Sequence, residues 1–218
     1  MSVTDITSSL WQLMSTPDIT YTRSMTRWLP NARGRLEQAA LELYRERGFD
    51  QTTVTEIAER AGLTERTFFR YFADKREVLF WGQENLRELY VRIIEAAPDS
   101  AAPIDAVAAA LEAAAPVFQE RHALARQRQA VIAANPGLQE RELSKRAALA
   151  SAMADALRGR GVPEPAASLA AEVGVIAFKT AFARWVDDPR EQDLAHLIRQ
   201  ALDQLKAAAA GTGSSAAD

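Results

Sequence analysis

Phe68, Phe69, Tyr71 and Phe72 place four aromatic rings within five residues, and Arg66, Arg70 and Lys75 stand among and just beyond them. On a helix, residues four apart share a face and consecutive residues do not. Phe68 and Phe72 can therefore turn into a core together, which leaves Phe69, Arg70 and Tyr71 on or beside the exposed side. At the leading end of the run stand Thr64, Glu65, Arg66 and Thr67. Small or hydrogen-bonding groups at a helix end can approach base edges while flanking contacts to phosphate fix the register. An arginine there can read guanine O6 and N7, and a threonine methyl can meet the methyl of thymine. The chemistry to which these residues point is duplex recognition.

The elements that must hold them read at helical period, and no stretch alternates as a strand does. The fold class expected is all-α. A first helix starts near Arg33 with Leu36, Ala40, Leu43 and Tyr44 on one stripe and ends at Gly48. Thr53 and Glu56 form a capping box for a short helix that buries Val54, Ile57, Ala58 and Ala61 and closes at Gly62. Thr64 is the N-cap of a second short helix ending near Phe72. Two short helices joined across a glycine make a helix-turn-helix, about residues 53–72, whose second helix enters the major groove. Thr53, at the start of the first, can offer its amide and hydroxyl to a phosphate.

Beyond this unit, Asp74 and Glu77 cap one long helix carrying Val78, Leu79, Trp81, Leu86, Leu89, Ile93 and Ile94 as far as Ala96. After residues 96–103 the composition shifts to alanine. A helix from Ile104 is expected to break at Pro116. Another follows with Phe118, Leu124, Val131 and Ile132, and then one over Leu138–Leu157 with Leu143, Ala147, Ala150, Ala154 and Leu157 inward. From Pro165 to Val186, Leu169, Val173, Ile176 and Thr180 form one apolar stripe, and Val175, Phe178, Phe182 and Trp185 form another. A helix apolar on two sides needs two covers, one of which could be a second subunit. A last helix over Glu191–Lys206 carries Leu194, Leu197, Ile198, Ala201, Leu202 and Leu205, and residues 208–218 read as a disordered tail. Helix-rich alanine faces suit close antiparallel packing.

Composition narrows the function classes. The chain has 218 residues, no cysteine and a formal net charge of −3. Disulfides and thiolate chemistry are excluded, and a cytoplasmic location is the expectation. There is no secretory leader pattern at the N-terminus and no run of roughly 20 uninterrupted apolar residues. His122 and His196 lack metal-ligand spacing, so neither metal nor cofactor is expected, and no phosphate loop, nucleophile motif or paired-carboxylate setting points to an enzyme. Residues 31–80 hold nine Arg/Lys against nine Asp/Glu, so placement rather than bulk charge must carry any attraction to nucleic acid.

The run GRLEQAALELYRERGFDQTTVTEIAERAGLTERTFFRYFADKREVL resembles the DNA-binding region of the TetR family of bacterial transcriptional regulators. The Gly-Phe after the first helix, the Thr-Thr-x-x-x-Ile-Ala start of the second and the Thr-x-Phe-x-x-Phe-x-x-Lys run from Thr67 to Lys75 carry the likeness. The resemblance implies a helix-turn-helix domain over residues 31–78 and a helical effector-binding and dimerisation domain over 79–207. It implies that Thr55 touches bases, that Phe69 and Tyr71 approach the DNA backbone or base edges, and that Lys75 reaches a phosphate. Family members commonly have tyrosine where this chain has Phe69, often histidine where it has Tyr71, and often a base where it has Glu65. That glutamate either accepts from cytosine N4 or weakens nonspecific binding.

The resemblance further implies a homodimer on a palindromic operator, whose last two helices meet those of their mates through Leu169, Val173, Ile176, Thr180, Leu194, Leu197, Ile198, Ala201, Leu202 and Leu205. A small-molecule effector would release the operator, in a pocket lined by Trp81, Leu89, Phe118, His122, Arg126, Phe178, Phe182 and Trp185. Residues 125–145 resemble regulators that answer to acyl-CoA-like or other amphipathic molecules, and Arg121, Arg126 and Arg128 would suit an anionic head group. A repressor is the expected role, with a helical scaffold that has lost specific DNA binding as the alternative. Residues 1–30 fall outside the likeness, and two readings stay open there: translation from Met25, or an arm whose Arg23 and Arg27 add phosphate contacts.

Overall fold

Glycines with positive φ punctuate the chain where its helices end: Gly48 at 85°, Gly62 at 63°, Gly82 at 84° and Gly161 at 82°. A computed structural model describes residues 31–188 and 192–210. The proposed extension over residues 1–30, the start of the last helix at Glu191 and residues 211–218 lie outside the described residues. Among those described, every regular element is helical. The described residues divide into two compact units, one ending at Trp81 and one beginning at Gly82.

The first unit contains α1 (Ala32–Arg47), α2 (Val54–Arg60) and α3 (Glu65–Tyr71), followed by a 3-10 turn over Glu77–Leu79. Leu36, Leu41, Leu43, Tyr44, Ile57, Phe68, Phe72, Val78 and Leu79 are buried. They come from all three helices and the turn, so the short helices are held by a shared core rather than by their own propensity. The α2–α3 corner is a Schellman motif: Leu63 N–H donates to the Ala58 carbonyl at 2.8 Å and Gly62 N–H to that of Glu59 at 2.8 Å. Gly62 supplies the positive φ that this corner needs. Arg35 Nη2 donates to the neighbouring Ala61 carbonyl and ties α1 to the end of α2.

The long connecting helix expected from Val78 to Ala96 is two pieces. The 3-10 turn ends at Leu79, and α4 (Gln83–Glu95) begins after Gly82. A residue at φ 84° cannot continue a right-handed helix, so Gly82 separates them.

The second unit adds α5 (Pro103–Gln119), α6 (His122–Ala133), α7 (Pro136–Gly159), α8 (Ala166–Asp187) and α9 (Leu194–Ala209). α8 packs on α5, α7 and α9, while α4 packs on α5 and α7. The alanine faces work as expected: Ala106, Ala110 and Ala114 of α5 and Ala167, Ala171, Ala177 and Ala181 of α8 are buried. Gly174 of α8 lies close against Val107 of α5, where a Cβ would overlap the valine Cγ1. By length and composition α8 could cross a membrane, but its small residues are spent on this packing.

Four boundary and stripe expectations change. Pro116 does not interrupt α5, because it lies exposed in the last turn and the helix runs on to Gln119. Leu143, at 61% exposed, and Ala147 are outside the core, while Ala150, Ala154 and Leu157 of the same expected stripe are buried, joined by Met153. α9 extends through Ala209 into the expected tail, as an alanine run with high helix propensity allows. Leu194, Leu197, Ile198, Ala201 and Leu202 are buried within the unit, which packs α9 on α8 and α5. These five are intramolecular packing and not a surface offered to a second chain.

Candidate DNA interface

Thr53 starts α2 at φ −103° and ψ 159°, with its hydroxyl oxygen accepting from Glu56 N–H at 3.3 Å. Glu56 Oε2 in turn accepts from Thr53 N–H and from the Thr53 hydroxyl, both at 2.9 Å. The reciprocal box is complete, and it uses the two donors that Thr53 was expected to offer a phosphate. These bonds from Thr53, with Arg47 at 2.6 Å, hold the Glu56 carboxyl below its ordinary range. Thr64 caps α3 by accepting from Thr67 N–H at 3.3 Å, and the two hydroxyls lie 3.1 Å apart.

The aromatic run divides as helical geometry requires. Phe68 and Phe72 are buried with ring centroids 5.5 Å apart, and Phe69 meets Phe68 edge-on while remaining 54% exposed. Thr64, Glu65, Arg66 and Arg70 are exposed beside it, and Thr67 and Tyr71 are half-buried. Arg70 Nη2 donates to the Tyr71 hydroxyl at 2.9 Å, with its guanidinium 4.8 Å from the ring centroid.

Placement resolves the even charge count. Arg60 pairs with Glu42 and Glu46, Arg47 with Glu56, and Arg76 with Asp74. Among the described residues Arg33, Arg66 and Arg70 form no ion pair with a carboxylate. Arg33 was not singled out from the sequence, since it stands over thirty residues from the aromatic run. The fold brings its guanidinium to 5.4 Å from the ring centroids of both Tyr71 and Trp81. Cation–π contact occupies the face of the guanidinium and leaves its in-plane N–H donors for an anion.

Lys75 does not behave as expected. Its ammonium donates to the carbonyls of Phe49 at 2.8 Å, Asp50 at 3.1 Å and Thr52 at 2.8 Å, and it lies 4.5 Å from the Phe49 ring centroid. All three donors serve the α1–α2 turn. The Lys75 carbonyl also accepts from the Tyr44 hydroxyl at 2.6 Å, and burial, with the Asp74 charge, pushes that phenol well above its ordinary range. In this structure Lys75 locks the loop after α3 to the loop before α2 rather than pointing toward a phosphate.

A family model of bacterial regulatory proteins, tetR family, matches residues 37–80, and a second, the MftR C-terminal domain, matches residues 101–210, half of the chain. The chain belongs to the TetR family. A relative, the HTH-type transcriptional regulator TcmR of Streptomyces glaucescens, is 37% identical over 87 residues, 40% of this chain and 38% of that protein. The chain thus matches about two fifths of that relative's length. Solved structures share the fold. The SmeT–triclosan complex has a TM-score of 0.59 at 21% identity over 82% of this chain and 90% of the other. FadR from Bacillus subtilis with stearoyl-CoA has 0.55 at 21% identity over 79% and 96%. The TetR family is one of transcriptional regulators with a helix-turn-helix DNA-binding domain rather than of enzymes.

In this TetR-family chain five residues of the expected effector lining, Phe118, His122, Phe178, Phe182 and Trp185, are joined by ring contacts, with Phe182 and Trp185 centroids 5.5 Å apart. Trp81 belongs to the first unit. Within the second, Leu89 and Trp185 are core, and Trp185 Nε1 donates to Gln119 Oε1 at 3.1 Å, which also accepts from Leu194 N–H at 3.3 Å. His122 is buried with Nε2 3.0 Å from the Trp185 carbonyl and its ring 4.5 Å from the indole. Arg126 is exposed, so it lines no enclosed space. Phe118, Phe178 and Phe182 do cluster, half-buried, with centroids 5.3 to 5.8 Å apart. Arg128 pairs at 3.0 Å with Glu142, a buried carboxylate also bound by Arg146, so its charge is already compensated.

The sequence offered no sign of Tyr90. It is fully buried on α4, and its hydroxyl makes no hydrogen bond with any described residue. Burial alone raises this phenol well above its ordinary range. On α8 one stripe faces outward: Leu169 is 65% and Ile176 48% exposed, Thr180 is exposed and Val173 half-buried. Leu205 is half-buried on α9.

Proposed function

We propose that this TetR-family chain is a sequence-specific repressor that binds a palindromic operator as a homodimer and is released by a small amphipathic effector. The observation that carries the reading is the outer side of α3: a capped helix pinned by Phe68 and Phe72, with Arg66 and Arg70 exposed and without carboxylate partners. A scaffold without DNA binding would have no use for uncompensated guanidiniums gathered beside a groove-sized helix. In the proposed complex Arg66 reads a base edge, Arg33 and Arg70 bind phosphates, and Phe69 gives apolar contact. The exposed stripe through Leu169 and Ile176 supports a two-fold dimer built on α8, because large apolar side chains at helical spacing are costly to leave in water.

For the effector, support comes from Tyr90 and the Phe118–Phe178–Phe182 cluster. A buried phenol normally finds a hydrogen-bond partner, and a ligand with an apolar body and one polar group would supply it. Effector binding to a form with altered operator affinity would then release DNA by linkage. The deciding experiment is footprinting of the purified protein on DNA flanking its own coding region at stated salt. Protection of a palindrome, with half-sites about one duplex turn or more apart, is the expected result. Uniform binding without a protected site would defeat the proposal.

A further inference from the structure

The four arginine-paired carboxylates of the first unit neutralise structural charges, but Glu65 is held differently. It is exposed at the first turn of α3 and accepts a hydrogen bond from the hydroxyl of Thr55, which is exposed on α2. No ion pair joins it to Arg66, Arg70 or any other described cation. The bond spans the two helices of the helix-turn-helix, so this carboxylate is fixed at the exposed leading end of α3, next to Arg66 in sequence, instead of sweeping through solvent. Fixing a side chain beforehand lowers the entropy lost on binding.

We infer that Glu65, oriented by Thr55, selects cytosine at one position of each half-site. This rests on the DNA-reading function proposed above and extends it to a named base. A carboxylate only accepts hydrogen bonds. In the major groove guanine presents O6 and N7, and thymine presents O4, all acceptors that repel it. Adenine offers the N6 amine beside N7, another acceptor, whereas cytosine N4 has no acceptor next to it on the same base. Near phosphates the charge of Glu65 is unfavourable on every sequence, and a cytosine amine is the partner that offsets it. Thr55 occupies one oxygen and leaves the other to the base, which makes Thr55 a positioning residue.

Duplexes randomised across both half-sites are to be selected on the full-length protein and on Glu65→Gln, Thr55→Val and Thr55→Ser, with sequencing of the bound pools. Wild type should enrich cytosine at a position where Glu65→Gln lowers that preference about tenfold, the size of one good base contact, leaving other positions unchanged. Thr55→Val should lower it about threefold, and Thr55→Ser, which keeps the hydroxyl, should restore it. Affinity for a fixed nonspecific duplex should rise about threefold in Glu65→Gln, since one negative charge leaves the phosphate-facing side. If nonspecific affinity rises while every base preference stays as in wild type, Glu65 acts only through bulk charge and the inference is overturned. If Glu65→Gln has its effect but Thr55→Val does not, the role of Thr55 is overturned. A wild-type pool with no enrichment anywhere rejects the DNA-reading function itself.

Discussion

Replacing Lys75 with methionine keeps the length of the apolar stem and removes the ammonium, which separates its two possible roles. In the free protein that ammonium donates three hydrogen bonds to backbone carbonyls, two of them part-buried and one exposed. A hydrogen bond from a charged donor contributes roughly 1.5–3 kcal/mol when shielded, and an ordinary one about 1 kcal/mol. Because Lys75 is half-exposed and the orphaned carbonyls can partly rehydrate, about 1 kcal/mol for each part-buried bond and little for the exposed one is appropriate. The variant should therefore lose about 2 kcal/mol, which lowers the melting temperature by roughly 4–8 °C if a chain of this size unfolds as one. Thermal and urea melts monitored by circular dichroism measure it. A parallel titration of operator DNA across a salt series should give a log–log slope equal to that of wild type, since no phosphate contact is lost. A contact that releases a counterion would instead flatten the slope by about 0.9 per ammonium. Wild-type stability combined with the flatter slope would refute the clamp and restore Lys75 to the DNA backbone.

Arg33→Met should flatten the salt slope by about 0.9 per protomer without changing base preference, so an unaltered slope in the same titration removes Arg33 from the interface. Glu56 has a depressed carboxyl pKa in the folded chain, so its capping contribution is fully present above the unfolded value of about 4.3 and is lost as pH falls through the lower folded value. Melting temperature should consequently drop more steeply with acid in wild type than in Glu56→Gln, and parallel curves would contradict the assignment. Ile176→Asp, on the exposed stripe of α8, should convert a dimer to a folded monomer by light scattering and weaken operator binding; an unchanged mass would place the interface elsewhere. Tyr90→Phe should leave the free protein as stable as wild type or up to about 1 kcal/mol more so, whereas a melt several degrees lower would show that the hydroxyl is bonded.

The first unit was legible because its signals are local. Thr53 and Glu56 lie three residues apart, Thr64 and Thr67 likewise, and Gly48 and Gly62 end helices through their own backbone angles. Phe68 and Phe72 inward with Phe69 outward follows from 3.6 residues per turn alone. The break at Gly82 was misread because an apolar stripe continues through it, and periodicity does not register a single residue forced to positive φ. In the second unit the α9 stripe was correctly apolar but could not say what covers it, since a face buried by α8 and α5 and a face buried by a second chain read alike.

Distant partners are another matter. Arg33 meets Tyr71, Lys75 meets Phe49 and Thr52, and Thr55 meets Glu65 only after α1, α2 and α3 have packed on their common core. Composition told that residues 31–80 hold as many acids as bases, but which arginines are neutralised depends on which carboxylates fall within about 4 Å of them. Helix type, the helix ends of the first unit up to Phe72, and family were thus written in residue order and short spacing. The division of charge between fold and interface was decided by tertiary packing, because ion pairs and hydrogen bonds act over ångströms in space and not over positions in sequence.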